Sequence, residues 1–140
     1  MEWCIDSSVM SHMCCDINCF EFIKPIKNQK VKLKNDKLTE IKGKGTVILF
    51  SYIKNELEKF QLENALYVPK LKENLILVSK VTANGKRIVF TNKMATIFGK
   101  KDEIVITANH KRDLYIVDTK FEYIGMPYEN KNTLVDWYYQ

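Results

Sequence analysis

The chain has 140 residues, 46% of them hydrophobic, and a formal net charge of +5. A chain of this size can bury a core as one domain. It lacks any run of about 18 apolar residues and any basic segment leading into an apolar one, which argues against a membrane span and a secretory signal, so we expect a soluble, cytoplasmic protein.

Short apolar segments rich in Val, Ile, Phe and Tyr recur along the chain between turn-forming residues, a pattern typical of a β-sandwich or β-barrel. Strands are predicted at residues 3–5, 29–33, 38–41, 46–52, 58–67, 87–90, 95–98, 103–107 and 114–117. Turns are predicted at residues 35–36, 54–55, 84–85, 92–93, 99–102 and 109–112. One short helix is predicted near residues 77–84, with Asn74 or Ser79 capping its start and Gly85 closing it. The sequence thus predicts an all-β fold, a small closed or partly open barrel.

All four cysteines, Cys4, Cys14, Cys15 and Cys19, lie near the start of the chain. A disulfide framework would be spread over the elements that it joins, so we expect reduced thiols. A zinc site that also uses His12 is the alternative, but no Cys-x-x-Cys pair is present. We therefore expect no metal and no cofactor.

The positive charge is concentrated in residues 24–44, which hold eight lysines against Asp36 and Glu40. Around Val31 and Leu33, lysines alternate with apolar residues, which indicates the solvated face of a half-buried strand. A nucleic-acid surface is the alternative, although no aromatic residues interleave with these lysines as a stacking platform would require.

The residues that carry chemistry follow the first predicted strand. Residues 3–13 run from an apolar segment into Asp6-Ser7-Ser8 and then His12-Met13. This segment resembles the Asp-Ser-Gly-Ala-Ser-x-His-Met pattern of the aspartic protease domain in Copia-type retrotransposon Gag-Pol polyproteins.

The resemblance continues along the chain. Residues 42–47, Lys-Gly-Lys-Gly-Thr-Val, are similar to the family's Gly-x-Gly-Thr-Val segment, and residues 62–76 are close to its Leu-x-Asn-Val-Leu-Tyr-Val-Pro-x-Leu-x-x-Asn-Leu-Ile. Further segments that resemble the family follow in the family's order as far as Asp118. In residues 134–138 Trp137-Tyr138 stands where the family begins its zinc-binding region with Trp-His. The resemblance thus implies a retropepsin-like barrel over residues 1–118, with residues 119–140 as a tail that leads toward a missing or decayed zinc-binding region. The chain as a whole resembles one domain cut out of, or decayed from, a longer polyprotein. We expect that tail to be poorly ordered in isolation.

The resemblance implies peptide hydrolysis by two carboxylates that share a proton. Only Asp6 follows an apolar strand in the required motif, so the site would form at the two-fold axis of a homodimer. The substrate would be the chain's own polyprotein. In the retropepsins that the family resembles, the residue after the Asp holds the active-site loops through its hydroxyl, and Ser7 can take this role. Ser8 replaces the glycine that normally follows, and we expect it to crowd the carboxylates and weaken or abolish activity.

Two further positions bear on the site. A substrate-covering hairpin is expected between residues 29 and 47, with Gly43, Lys44 and Gly45 as substrate-binding residues, and an ordinary surface hairpin is the equal alternative. Leu77 stands where the Copia pattern has Ser and the retropepsins have Gly.

Other functions remain open from the sequence. A serine hydrolase using Ser7 or Ser8, His12 and Asp6 is disfavoured, since triad members normally come from separate elements. His12 is better explained as a hydrogen-bonded structural residue. A non-catalytic barrel, kept as an interaction module or surviving as a translated relic, is the main competitor to the protease.

Overall fold

The computed structural model describes residues 2–33, 35–117 and 121–122. Its strands are β1 (Trp3–Asp6), β2 (Met13–Cys14), β3 (Phe20–Lys32), β4 (Leu38–Ile53), β5 (Glu56–Tyr67), β6 (Asn74–Leu77), β7 (Arg87–Phe90), β8 (Met94–Phe98), β9 (Ile104–Lys111), β10 (Leu114–Val117) and β11 (Phe121–Glu122). A 3₁₀ turn at Ile17–Cys19 and one helix, α1 (Val78–Ala83), are the other described elements.

The described strands form one sheet in the order β11-β4-β5-β2-β6-β1-β10-β9-β8-β7, and β3 pairs with β4 off this path. Within the described residues the two ends of the path do not pair with each other. The predicted all-β fold with one short helix is therefore confirmed, in its partly open form. In the same part of the chain, no helix is long and apolar enough to cross a membrane.

β1 lies inside the sheet, between two strands that are distant from it in sequence. It runs parallel to β6, with Asp6 opposite Leu77, and antiparallel to β10, with Cys4 opposite Ile116. Its residues Trp3, Cys4 and Ile5 are buried, as expected for a strand paired on both edges. The end of β1 is thus held rigidly on both sides.

The long β3–β4 hairpin differs most from the prediction. The predicted strands at residues 38–41 and 46–52 are one continuous strand, β4, and the predicted strand at 29–33 is only the end of β3. The register of β3 on β4 shifts between Pro25 and Gln29, where Asn28 has a φ of 60°. Pro25 and the polar residues around this bulge interrupt the alternation on which the prediction relied.

The glycines of β4 allow β3 to lie close to it. A Cβ added to Gly45 would lie 1.9 Å from the backbone oxygen of Phe22, and one added to Gly43 would lie 2.7 Å from Cδ1 of Ile23. Glycine is needed here because the backbones of β3 and β4 approach closely, and not because the chain turns.

Turns are predicted better than strand ends. Lys54 and Asn55 both have positive φ in the two-residue turn between β4 and β5, as predicted. The predicted turn at residues 109–112 lies further along, because β9 runs to Lys111 and the positive φ values fall at Arg112 and Asp113.

The helix is confirmed over Val78–Ala83, and Gly85 follows it with a φ of 80°. Its predicted cap is wrong. Leu77 is the N-cap and makes no side-chain capping bond, whereas the Asn74 side chain is buried and accepts the backbone N–H of Cys15. The strands at Met13–Cys14 and Asn74–Leu77 were not predicted. Apart from β11, the tail at residues 119–140 lies outside the described residues.

Buried apolar side chains form two clusters. The main cluster takes its side chains from strands throughout the sheet, and Phe20, Phe60, Ile76 and Ile97 are at most 2% exposed. The second, which we call the hairpin cluster, packs Val31 and Ile41 of the β3–β4 hairpin against β2 and the segment that follows β5; its buried members are Met13, Val31, Ile41, Val68 and Leu71. The hairpin therefore folds back over the sheet near the end of β1.

Candidate active site at the end of the first strand

Asp6 is the last residue of β1 and is half-buried, whereas Ser7 and Ser8 are exposed. Because β1 is paired on both edges, with β6 at Asp6 itself and with β10 up to Ile5, strands from two distant parts of the chain fix the backbone of Asp6. We call residues 6–12 the Asp6 loop. The motif predicted from sequence therefore lies at the surface end of a rigid strand, where a second molecule can reach it.

The carboxylate is held by its own loop. Both the backbone N–H and the hydroxyl of Ser8 donate hydrogen bonds to Oδ1 of Asp6, at 2.8 and 2.7 Å. The backbone bond is the one that a glycine at this position would also provide. The hydroxyl bond exists only because residue 8 is serine, and together the two donors occupy both lone pairs of Oδ1.

His12 fastens the Asp6 loop to the neighbouring strands. Its side chain is 2% exposed, and its Nδ1 accepts the backbone N–H of Leu77 at 2.9 Å, while its carbonyl oxygen accepts the backbone N–H of Leu66. Burial, with a smaller contribution from the charge of Lys80, lowers the pKa of His12 to about 4. His12 is thus a neutral structural residue, as predicted, and it orients the backbone beside Asp6.

A serine-hydrolase arrangement is not formed by these contacts. The Ser8 hydroxyl donates directly to Asp6, and Nδ1 of His12 is bonded to the Leu77 backbone. Nδ1 of His12 is the atom that a triad would bond to the carboxylate.

Asp6 and residues of the β3–β4 hairpin line the same cavity of about 640 Å³, which we call the cleft. Its lining includes Asp6, Ser8 and Met10 of the Asp6 loop and Leu33 and Thr39 of the hairpin. The segment after Pro69 lines it as well. The cleft therefore brings the Asp6 loop and the hairpin together around one cavity.

The predicted substrate-binding residues lie elsewhere on the hairpin. Gly43 and Gly45 are buried where β3 lies close against β4, and Lys44 is exposed between them. Burial lowers the pKa of Lys80 in α1, and the charge of Lys44 lowers it further, so Lys44 lies close to α1. The cleft is lined by the hairpin's other end.

No disulfide joins the four cysteines, all of which are in the described residues. The Cys4 thiol lines the cleft and donates to Oε2 of Glu73 at 3.6 Å. Burial and, next, the charge of Glu73 raise the pKa of Cys4 to about 12, so this thiol is unreactive at neutral pH. Over the described part of the chain, no group of three or more His, Cys, Asp or Glu side chains is arranged to hold a metal ion.

Several cleft residues were missed from sequence. Thr39, Lys70, Lys72 and Glu73 line the cleft, although the first is far from the others in sequence. The only available signal was that residues 70–73 follow Pro69 within the segment most similar to the Copia pattern.

The fold and this site define a small β domain with one carboxylate motif and a hairpin that lines the same cleft. The family model for the Pol polyprotein beta-barrel domain matches residues 3–86, and the chain belongs to this family. It is thus a retrotransposon Pol polyprotein segment. The match includes β1, the Asp6 loop, the whole hairpin and α1. No curated protein and no solved structure matches the chain.

Proposed function

We propose that this chain is the aspartic protease domain of a Copia-type Pol polyprotein, that it acts as a homodimer on its own polyprotein, and that Ser8 attenuates it. The observation that carries the proposal is the position of Asp6, which ends a strand paired on both edges and lines the same cleft as the hairpin. A carboxylate held this way is suited to meeting its copy across a two-fold axis.

Peptide hydrolysis requires the two Asp6 carboxylates to lie about 3 Å apart and to share one proton. Met10 marks where a second copy would lie, because it belongs to the Asp6 loop, lines the cleft and is 81% exposed. A second copy packed on the Asp6 loop would cover this side chain and remove its apolar surface from water.

Ser8 supports the attenuation. Its hydroxyl bond to Oδ1 occupies a position that a shared proton or an attacking water would need. Leu77, opposite Asp6 in β6, adds bulk where the resembled family has a smaller residue. These two residues also favour the second candidate, a non-catalytic barrel that keeps only the ability to bind polypeptide.

The test is cleavage of a panel of long peptides by the purified chain at about pH 5 and about pH 6, with Asp6→Asn and Ser8→Gly alongside. The higher pH is included because the buried His12 makes the fold less stable in acid. We expect little or no cleavage by the wild type, more by Ser8→Gly, and none when Asp6→Asn is added to Ser8→Gly. If Ser8→Gly is folded and inert, the non-catalytic barrel replaces the protease.

Dimerisation has its own test by sedimentation of Ser8→Gly with and without Met10→Lys. Two lysines facing each other at the axis would repel, so Met10→Lys should abolish both the dimer and the cleavage. Leu57→Lys is the matched control, because Leu57 is also exposed (46%) and does not line the cleft. Equal effects of the two changes would contradict a dimer through the Asp6 loop.

A further inference from the structure

The cleft carries more positive than negative charge. Lys32, Lys37, Lys70 and Lys72 line it, and among the described residues two carboxylates, Asp6 and Glu73, do so. Lys32 also lies 3.5 Å from Asp36, but both side chains are mostly exposed, and such pairs leave the lysine largely available to another anion. The lysines come from two segments, the hairpin tip and residues 70–72, that only the fold brings together.

Between these charges the cleft is aliphatic. Its lining includes Val9, Met13, Leu33, Leu71 and Leu75, all of which belong to or pack on the hairpin cluster. No aromatic side chain is among the described residues that line it. Nucleic acid binding to single strands depends on aromatic stacking, so an aliphatic cleft with basic edges favours a polypeptide with apolar and acidic side chains.

A polar group at the cleft wall lacks a partner. Thr39 lines the cleft and is 8% exposed, and its buried hydroxyl makes no hydrogen bond within the described residues. Burying a hydroxyl in this state costs free energy that a bound peptide group would recover. The site therefore offers an apolar floor, basic edges and one unsatisfied hydrogen-bonding group.

We propose that the cleft selects extended polypeptides in which an apolar residue is flanked by acidic residues. This rests on the proposed function, because it names the substrate class of the same cleft, but binding can be measured whether or not the chain cleaves.

The experiment is fluorescence anisotropy of the full chain with three labelled peptides that share an apolar centre and are flanked by Glu, Gln or Lys. We expect the Glu peptide to bind about tenfold more tightly than the Gln peptide at low salt, and the difference to shrink at high salt. Equal affinities for the Glu and Gln peptides would overturn the proposal.

Matched variants locate the effect. The double change Lys70→Gln and Lys72→Gln should weaken binding of the Glu peptide about tenfold, whereas Lys59→Gln with Lys100→Gln, which alters the net charge equally at exposed lysines outside the cleft, should change it less than about twofold. Equal losses of affinity from the two double variants would show that the Glu peptide is attracted by the overall charge of the protein and not by the cleft, and would overturn the proposal.

Two further arms separate the remaining outcomes. A single-stranded oligonucleotide of matched charge should compete poorly with the Glu peptide, and efficient competition that is lost in the Lys70/Lys72 variant would assign the cleft to nucleic acid instead. Absence of cleavage with retained preference for the Glu peptide would remove the protease function alone. Cleavage of Gln-flanked and Glu-flanked peptides at equal rates would remove this inference alone.

Discussion

The main cluster and the hairpin cluster contribute differently to the fold. Among the described residues the main cluster contains 19 buried side chains, mostly from strands throughout the sheet, and 15 of them are at most 3% exposed. The hairpin cluster contains five buried side chains in the same part of the chain, and Val31, Ile41 and Leu71 each keep 7 to 9% of their surface exposed. Since regions with few buried contacts open more easily, we expect the hairpin to open locally before the sheet that holds Asp6.

The same substitution in each cluster should show this difference most strongly. Ile76→Ala in the main cluster is expected to cost about 4 kcal/mol, and Ile41→Ala in the hairpin cluster about 2 kcal/mol, because Ile76 is 0% exposed in the larger cluster and Ile41 is 7% exposed in the smaller one. Denaturant unfolding measures both. Limited trypsin digestion should cut the lysine-rich hairpin faster in Ile41→Ala, and equal costs with equal digestion would contradict the comparison.

The close approach of β3 to β4 at Gly43 and Gly45 connects the two clusters, and a substitution there should affect the stability of both. Gly45→Ala is expected to destabilise the protein by more than about 3 kcal/mol, because its Cβ meets the Phe22 backbone oxygen, which cannot rotate away. Gly99→Ala is the control. Its Cβ meets only the carboxylate of the exposed Glu103, so we expect a cost below about 1 kcal/mol in thermal or denaturant unfolding. Similar costs would show that the close approach is not limiting.

His12 links the Asp6 loop to the sheet and should make the fold sensitive to acid. Its pKa of about 4 lies below the ordinary value of 6.5, so the unfolded chain binds the proton first and stability falls as the pH drops from about 6.5 to about 4. At about 1.4 kcal/mol per pKa unit, the loss is about 3 kcal/mol.

The check is unfolding across this pH range with His12→Asn, which keeps an acceptor for the Leu77 N–H but takes no proton. The stability of His12→Asn should depend less on pH, whereas His110→Asn, at an exposed histidine, should follow the wild type. A wild-type curve without this decline would show that His12 is not buried as described.

The smallest effect is expected at Thr39, where one substitution should raise the stability of the fold and weaken peptide binding. Thr39→Val removes the unpaired hydroxyl and should raise the free energy of unfolding by about 1 kcal/mol. The same variant should bind the Glu peptide less tightly than the wild type. Thr96→Val, at a half-buried position on β8, should change stability by less than about 0.5 kcal/mol. A destabilised Thr39→Val would indicate that the hydroxyl is already satisfied.

Much of the fold could be predicted because its signals are local. The strands at Arg87–Phe90 and Leu114–Val117 were predicted with their exact bounds, since short runs of apolar residues and flanking turn formers depend only on neighbours in sequence. Where the backbone bulges, this signal fails. In β5 the buried positions pass from Leu62 to Ala65 across Asn64, whose φ is 55°, at a register shift on β4.

The sequence alone determined the class of fold, the family and the position of the Asp6-Ser7-Ser8 motif at a strand end. Only the tertiary structure decided that Leu77 lies opposite Asp6, that the hairpin lines the cleft, and that lysines of the hairpin and of residues 70–72 share it. These features depend on pairings between residues far apart in the chain, such as the His12–Leu77 bond across 65 positions, and no local pattern encodes them.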